Sequence, residues 1–257
     1  MNPCTTPAIV LRRRDYADFD LILTVLTQDH GVRTLIAKSA KKSVKRFPGI
    51  LEPFAGLKIV FRPGRGKGLP VLTEADLVKS HTALRSDIQK TAYASYWSEL
   101  VAIWLEEGQS QARIFELLDF VLDGLSDGTA PDALLSLLFQ MRFVGYEGLR
   151  PILERCACCR KTIEAMPQHQ FCIDLSRGGI VCHQCPMPCD VHLKLGKGTL
   201  KQLLWMAHGD LSTALRVRFG PSTLAEASQF LEAFVPYHIG RMPKSLDFLR
   251  RVRKSAA

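Results

Sequence analysis

Short apolar runs broken by turn-forming residues fill the first third of the chain, and apolar residues recur at helical spacing in most of the rest. Apolar runs at residues 7–11, 20–27, 32–37, 57–61 and 71–77 have strand length. Gln28-Asp29-His30-Gly31, between the second and third runs, has the composition of a hairpin turn. A glycine-rich basic stretch over residues 62–68 separates the last two. Roughly five short strands in the first 80 residues predict a small closed barrel, with an OB-fold as the leading architecture. From residue 81 the period changes. Tyr93, Tyr96, Trp97, Leu100, Val101, Trp104 and Leu105 mark one helix over 91–107, and a second covers 114–125. A third opens at Pro131-Asp132 and stops at Gly145 or Gly148. Helical patterns return at 198–208 and 223–237, with a short one at 245–253. The fold class is therefore α+β and multidomain. An OB-fold β-barrel over residues 1–80 precedes a helical domain over 81–257, which carries an inserted four-cysteine zinc finger at 151–189.

Charge adds a direction to this outline. The 257-residue chain has a formal net charge of +9. Residues 1–80 alone hold 14 Lys and Arg against 7 Asp and Glu. A basic balance points to a polyanionic partner, most simply nucleic acid. No run of about 18 apolar residues exists to span a bilayer, so no membrane partner is expected. Pro3, Pro7 and Arg12–Arg14 leave no room for a signal-peptide apolar region, and a cytoplasmic, nucleoid-associated location is expected.

The clearest local signal is Cys156-x-x-Cys159, then 22 residues, then Cys182-x-x-Cys185. Each CxxC knuckle can place two thiolates about one metal ion, and the segment between them closes a small loop. Four sulfur ligands leave no open coordination position, so one structural Zn2+ is expected. Cys158, Cys172 and Cys189 remain alternative ligands. Seven of the eight cysteines fall between positions 156 and 189, which favours a metal cluster in a reducing compartment over disulfides. Phe171, Gly178 and Gly179 predict a short β-ribbon between the knuckles. His169 and His183 are not needed as ligands.

The basic connection over 38–46 contains Lys38, Lys41, Lys42, Lys45 and Arg46. Most charge runs are solvated loops. This one lies in a predicted OB barrel, whose loops and open face hold single strands, so it is read as a phosphate-tracking rim. Arg12 and Arg14 add to that face, and Arg13 points to the other side of the strand. Tyr16, Phe19, Phe54 and Phe61 fit the barrel core better than base stacking, with one or two at most left as stacking platforms. The 62–68 stretch and Gly196-Lys197-Gly198-Thr199 lack the GxxxxGK[ST] pattern and read as turns. No HExxH or GxSxG motif and no paired acidic motif of a nuclease is present, so no enzyme is expected. A zinc-ribbon protein that binds RNA or regulates transcription is the alternative.

In this order and spacing the pieces resemble the RecO family of bacterial recombination mediators. Ala8-Ile-Val-Leu-Arg through Thr24-Val-Leu-Thr27 and Gly31 is similar to the family's opening strands. Ala37-Lys38, the basic run and Gly49-Ile-Leu-Glu-Pro53-Phe54 follow. Tyr96-Trp-Ser-Glu99-Leu100 and Phe115-Glu-Leu-Leu118 resemble its first core helices. Gly148-Leu-Arg-Pro151-Ile-Leu153-Glu-Arg-Cys156 leads into the knuckles, and Lys244-Ser245-Leu246 is similar to the closing motif. The family often has Gly where this chain has Ser39 and Arg160, and some members lack the zinc cysteines. The resemblance implies binding of single- and double-stranded DNA and ATP-independent annealing. It also implies partnership with RecR, and with the acidic C-terminal tail of single-stranded DNA-binding protein, to load the RecA recombinase.

Overall fold

The computed structural model describes residues 3–64, 68–186 and 193–256. They form two compact units, one of residues 1–127 with 243–257, the other of residues 128–242.

The first unit is built on a closed five-stranded barrel in the order β1-β2-β3-β5-β4. Its strands are β1 (Cys4–Tyr16), β2 (Asp20–Thr27), β3 (Gly31–Ala37), β4 (Gly56–Arg62) and β5 (Val71–Lys79). β1 serves two neighbours. Cys4–Ile9 pair with β4, and Ala8–Tyr16 pair with β2 across a register shift between Val10 and Arg12. The Ile36–Val71 pairing of β3 with β5 is parallel and closes the barrel. Val10, Leu23, Val25, Leu35, Leu57, Ile59 and Leu72 fill its interior. This is the five-stranded OB architecture expected from the short apolar runs. β1 and β5 outrun their apolar stretches, because Arg12–Tyr16 and Val78–Lys79 continue the ladders with exposed or half-buried side chains. The β2–β3 turn needs Gly31, whose φ is +63° and whose added Cβ would lie 1.9 Å from the Gln109 carbonyl oxygen.

Four helices complete this unit: α1 (Thr82–Ser86), α2 (Ile88–Trp104), α3 (Ala112–Asp127) and the C-terminal α8 (Lys244–Ala256). The Asp87 carboxylate caps α2, accepting from the Gln89 and Lys90 N–H groups at 2.8 and 3.1 Å. Tyr93, Tyr96 and Trp97 of α2 are fully buried, each burial contributing roughly 1.5–3 kcal/mol. The Glu99 carboxylate accepts from the Lys244 and Ser245 N–H groups at 3.2 and 2.8 Å, holding the start of α8 against α2. Two segments 145 residues apart in sequence are thereby joined.

The second unit holds α4 (Asp132–Tyr146), α5 (Lys197–Met206), α6 (Leu211–Ala214) and α7 (Pro221–Ile239). It also holds a three-stranded sheet in the order β7-β6-β8, from β6 (Gln170–Asp174), β7 (Gly179–Val181) and β8 (Lys194–Gly196). α4 is buried along most of its length and packs on α7, whose Phe230, Leu231, Phe234 and Val235 are buried. Gly196-Lys197-Gly198-Thr199, expected as a turn, is the junction of β8 and α5. Glu226 of α7 fixes it, accepting from the Gly196 N–H at 2.9 Å and the Thr199 hydroxyl at 2.7 Å. Among the described residues no helix is long and apolar enough to cross a membrane.

One charged cluster ties the barrel to α3. Lys79 Nζ lies 2.7 Å from Asp119 and 2.6 Å from Asp123. His81 bridges Asp123 at 2.9 Å and the Phe54 carbonyl at 2.8 Å. Burial lowers the Lys79 pKa, but the hydrogen bonds and charges of the two carboxylates outweigh it and hold it above the ordinary 10.5. A lysine raised in this way contributes stability below its unfolded pKa and loses it as pH climbs through the folded one. Lys79→Met is expected to lower the unfolding free energy by about 1–2 kcal/mol at neutral pH, since it strands two neighbouring carboxylates. Urea unfolding across pH should show this deficit shrinking above pH 10.5, the ordinary lysine value.

Candidate nucleic-acid interface and metal centre

Directly opposed residues of an antiparallel sheet share a face. Arg12 opposes Thr24, which opposes Thr34, and Arg14 opposes Ile22, which opposes Ile36. Both rows lie on the outside of the barrel. Arg12 and Arg14 are exposed, whereas Ile22, Ile36 and Val71 are half-buried and form an apolar floor. Arg13, on the other face, pairs with Glu52.

An open groove of about 860 Å³ follows this floor. Tyr16, Lys38, Arg62 and Leu69 line it together with Ile22 and Ile36. Apolar floor, aromatic wall and cationic rim are the elements that a nucleic-acid strand uses: bases against the floor, phosphates against the rim. Arg62 is a groove residue that sequence reasoning did not single out. Its signal was its place at the end of β4, beside a basic loop whose residues 65–67 lie outside the described residues.

The aromatic expectations divide. Phe61 belongs to the barrel core, as expected, whereas Phe54 is buried outside that cluster. Tyr16 and Phe19 are not: they are 51% and 41% exposed, because both sit at the β1–β2 turn, beyond the reach of the barrel interior. Tyr16 stands at the groove, and the Lys42 ammonium sits 3.3 Å from the Phe19 ring centre.

The basic segment is an ordered excursion. Lys38, Lys41, Lys42, Lys45 and Arg46 lie along it, and a 3-10 turn runs over Ala40–Lys42. Lys41 lies 3.2 Å from Asp15. The Arg46 guanidinium donates to the Lys38 carbonyl at 2.9 Å, and the Ser39 N–H to Asp20 at 2.7 Å. Ser39 has φ +55°, a left-handed turn suited to glycine.

The sulfur atoms of Cys156, Cys159, Cys182 and Cys185 lie within 4.8 Å of one another. Sγ–Sγ separations are 3.9 Å for Cys156–Cys185, 3.7 Å for Cys159–Cys182 and 3.6 Å for Cys182–Cys185. A tetrahedron with metal–sulfur bonds of about 2.3 Å has edges of about 3.8 Å, so the donor set fits a tetrahedral thiophilic ion. Cys158 and Cys172 stand outside this group, and Cys189 lies outside the described residues. His169 and His183 are not part of it either.

The finger's chain path is set by backbone pairing. The Cys156 N–H donates to the Lys161 carbonyl at 2.8 Å, and the Arg160 N–H to the Cys156 carbonyl at 3.0 Å, closing the first knuckle. Arg160 has φ +65°, one of five left-handed positions without glycine among the described residues. β6 and β7 form the expected ribbon, and Ile152 pairs beside Gly179. A Cβ at Gly179 would stand 2.4 Å from the Ile152 carbonyl oxygen, so only glycine lets this approach to the first knuckle occur. The Cys182 N–H points at Cys156 Sγ at 3.4 Å. Burial pushes the Cys156 thiol up, but backbone N–H groups of Cys159, Cys182 and Cys158 overcome this and set it at about 6.

Comparison with known proteins covers both units. The family profile described as Recombination protein O N terminal matches residues 1–81, and Recombination protein O C terminal matches residues 85–247. The chain is 42% identical over 255 residues to the DNA repair protein RecO of Desulfatibacillum aliphaticivorans, covering 99% of each. It is 42% identical over 254 residues to that of Desulfosudis oleivorans, covering 97% of this chain and 98% of the relative. The DNA repair protein RecO of Bacillus subtilis is 31% identical over 241 residues, which are 94% of this chain and 91% of the relative. Both profiles and the full-length relatives agree, and the chain belongs to the RecO family.

Proposed function

We propose that this chain is a DNA-binding recombination mediator that works by binding and not by catalysis. The observation that carries this reading is the groove on the barrel, with its apolar floor, its Tyr16 wall and its rim of Lys38 and Arg62. Arg12, Arg14, Lys38, Lys41, Lys42, Lys45 and Arg46 hold phosphates of single- and double-stranded DNA. Neutralising two strands at once lowers the repulsion that slows their pairing, which supplies ATP-independent annealing. Membership of the RecO family supports the wider role: loading RecA, together with RecR, onto single strands coated with single-stranded DNA-binding protein. That protein's acidic tail is attracted to a basic partner, and Lys or Arg can take its terminal carboxylate. The protein works in the cytoplasm, associated with the nucleoid.

Cys156, Cys159, Cys182 and Cys185 hold one structural Zn2+. When bound, the ion cross-links the two knuckles and leaves no position open for a reacting ligand. The chain's own contribution is the frame: Gly179, the β6–β7 ribbon and the N–H groups around Cys156 bring the four sulfurs together.

Three measurements test this reading. Changing Lys41, Lys42, Lys45 and Arg46 together to Ala is expected to weaken single-strand binding regardless of sequence. It should also flatten the plot of log affinity against log salt by about 0.7 for each phosphate no longer neutralised. An unchanged slope rejects the basic segment as a phosphate contact. Annealing of complementary strands precoated with single-stranded DNA-binding protein, without ATP, should be accelerated. Acceleration of naked strands alone would leave a general DNA binder without the partnership. Cys156→Ser or Cys182→Ser should lose the metal and unfold the 128–242 unit at lower denaturant than the barrel unit. Zinc-free protein purified without chelators would exclude the ion.

A further inference from the structure

Val44 is 84% exposed, more than any other large hydrophobic side chain among the described residues. It stands in the turn that follows the Ala40–Lys42 segment, with Lys41 and Lys42 before it and Lys45 and Arg46 after it. Single exposed aliphatic residues are common on protein surfaces and need no explanation by themselves. What distinguishes this one is the fixation of the loop that carries it. Ala40 and Phe47, on either side, are buried in the barrel's hydrophobic cluster. The Lys41 N–H donates to the Phe19 carbonyl at 3.0 Å, and the Arg46 N–H to the Ser43 hydroxyl at 3.1 Å. The Arg46 guanidinium reaches back to the Lys38 carbonyl at 2.9 Å, and Lys42 is seated on the Phe19 ring. A loop tied at both ends and across its middle cannot fold its apolar tip inward. It presents a methyl-bearing side chain at a fixed height between cations.

We propose that Val44 is a wedge against nucleobases: the flanking cations take phosphates of one strand, and the isopropyl group presses between adjacent bases and unstacks them. This rests on the reading of the basic loop as a DNA contact and adds a role for a residue with no charge. Apolar side chains of minor-groove binders open base steps in duplex DNA, where the lost stacking is offset by the contacts that the bent duplex gains. An unstacked strand offers its bases to a complement, so the wedge would act on annealing more than on affinity.

The test uses the full chain and a single strand carrying 2-aminopurine, whose fluorescence rises on unstacking. The unsubstituted protein is expected to raise the signal on binding. Val44→Thr, which keeps the shape and replaces a methyl group by a hydroxyl on a solvated side chain, should cut that rise and the annealing rate by about fivefold. Its salt slope should stay unchanged. A rise and a rate equal to those of the unsubstituted protein overturn the wedge. The quadruple alanine variant separates the two readings. If it loses binding while Val44→Thr is silent, the phosphate rim stands and the wedge falls. If it binds like the unsubstituted protein, both fall.

Discussion

The register shift in β1 between Val10 and Arg12 is the constraint on which the barrel and its outer face depend. A five-stranded sheet closes only if one strand turns the corner and serves both neighbours, and an extra residue in one strand supplies that bend. Before the shift, β1 contributes Ala8 and Val10 to the core. After it, Arg12 and Arg14 point outward and Arg13 meets Glu52. The same irregularity that bends β1 therefore decides which arginines face outward. Strict alternation through all these residues, without the shift, would set Arg12 opposite Leu23 and Arg14 opposite Leu21, placing two guanidinium groups against the interior.

Charge in this first unit is held by specific partners. Lys79 is committed to Asp119 and Asp123, Arg13 to Glu52, and Lys41 leans on Asp15. The carboxylates near the rim keep the basic segment ordered when nothing else neutralises it. An exposed pair of this kind is worth little by itself, about 0–1 kcal/mol, so a phosphate can displace it at small cost. Hydrogen bonds through Arg46 and Ser39 remain when the pair opens. Order before binding means that less conformational entropy is lost on binding.

The elements legible in the sequence were those whose signal is local. Five apolar runs of strand length gave the barrel, and the spacing of two CxxC pairs gave the four sulfurs that the structure brings within 4.8 Å. The far end of β1, Asp15 and Tyr16, was not legible, because it carries no apolar alternation and continues the ladder through its pairing with β2. Gly196-Lys197-Gly198-Thr199 reads as a turn, since its strand partner Gln170 and its anchor Glu226 lie far off in sequence. The exposure of Tyr16 was hidden for a related reason: an aromatic residue after a strand has the same local pattern whether the barrel covers it or not. Arg62 joined the groove only when β4 and β5 were set beside β3. Glu99 gave no sign that it caps a helix that begins 145 residues later.

Ser39 and Arg160 carry this point further. Both occupy left-handed backbone, at φ +55° and +65°, which favours glycine. A residue with a Cβ costs about 1 kcal/mol in such a position, so local preference argues for a different turn. The turn persists because its ends are fixed from outside it. The Ser39 N–H is held by Asp20, and residues 38 and 40 are anchored by Arg46 and by the barrel core. Arg160 sits in a loop closed by two backbone hydrogen bonds, one within Cys156–Lys161 and one from its own N–H to Cys156, beside sulfurs that must converge. Strain of this size is tolerated where the surroundings over-determine the backbone. Ser39 and Arg160 lie next to the chain's two candidate sites, the phosphate rim and the thiolate cluster, while Ala17, Phe54 and His81 also occupy left-handed backbone. The surroundings that fix the turns are therefore the same contacts that set the positions of the functional side chains.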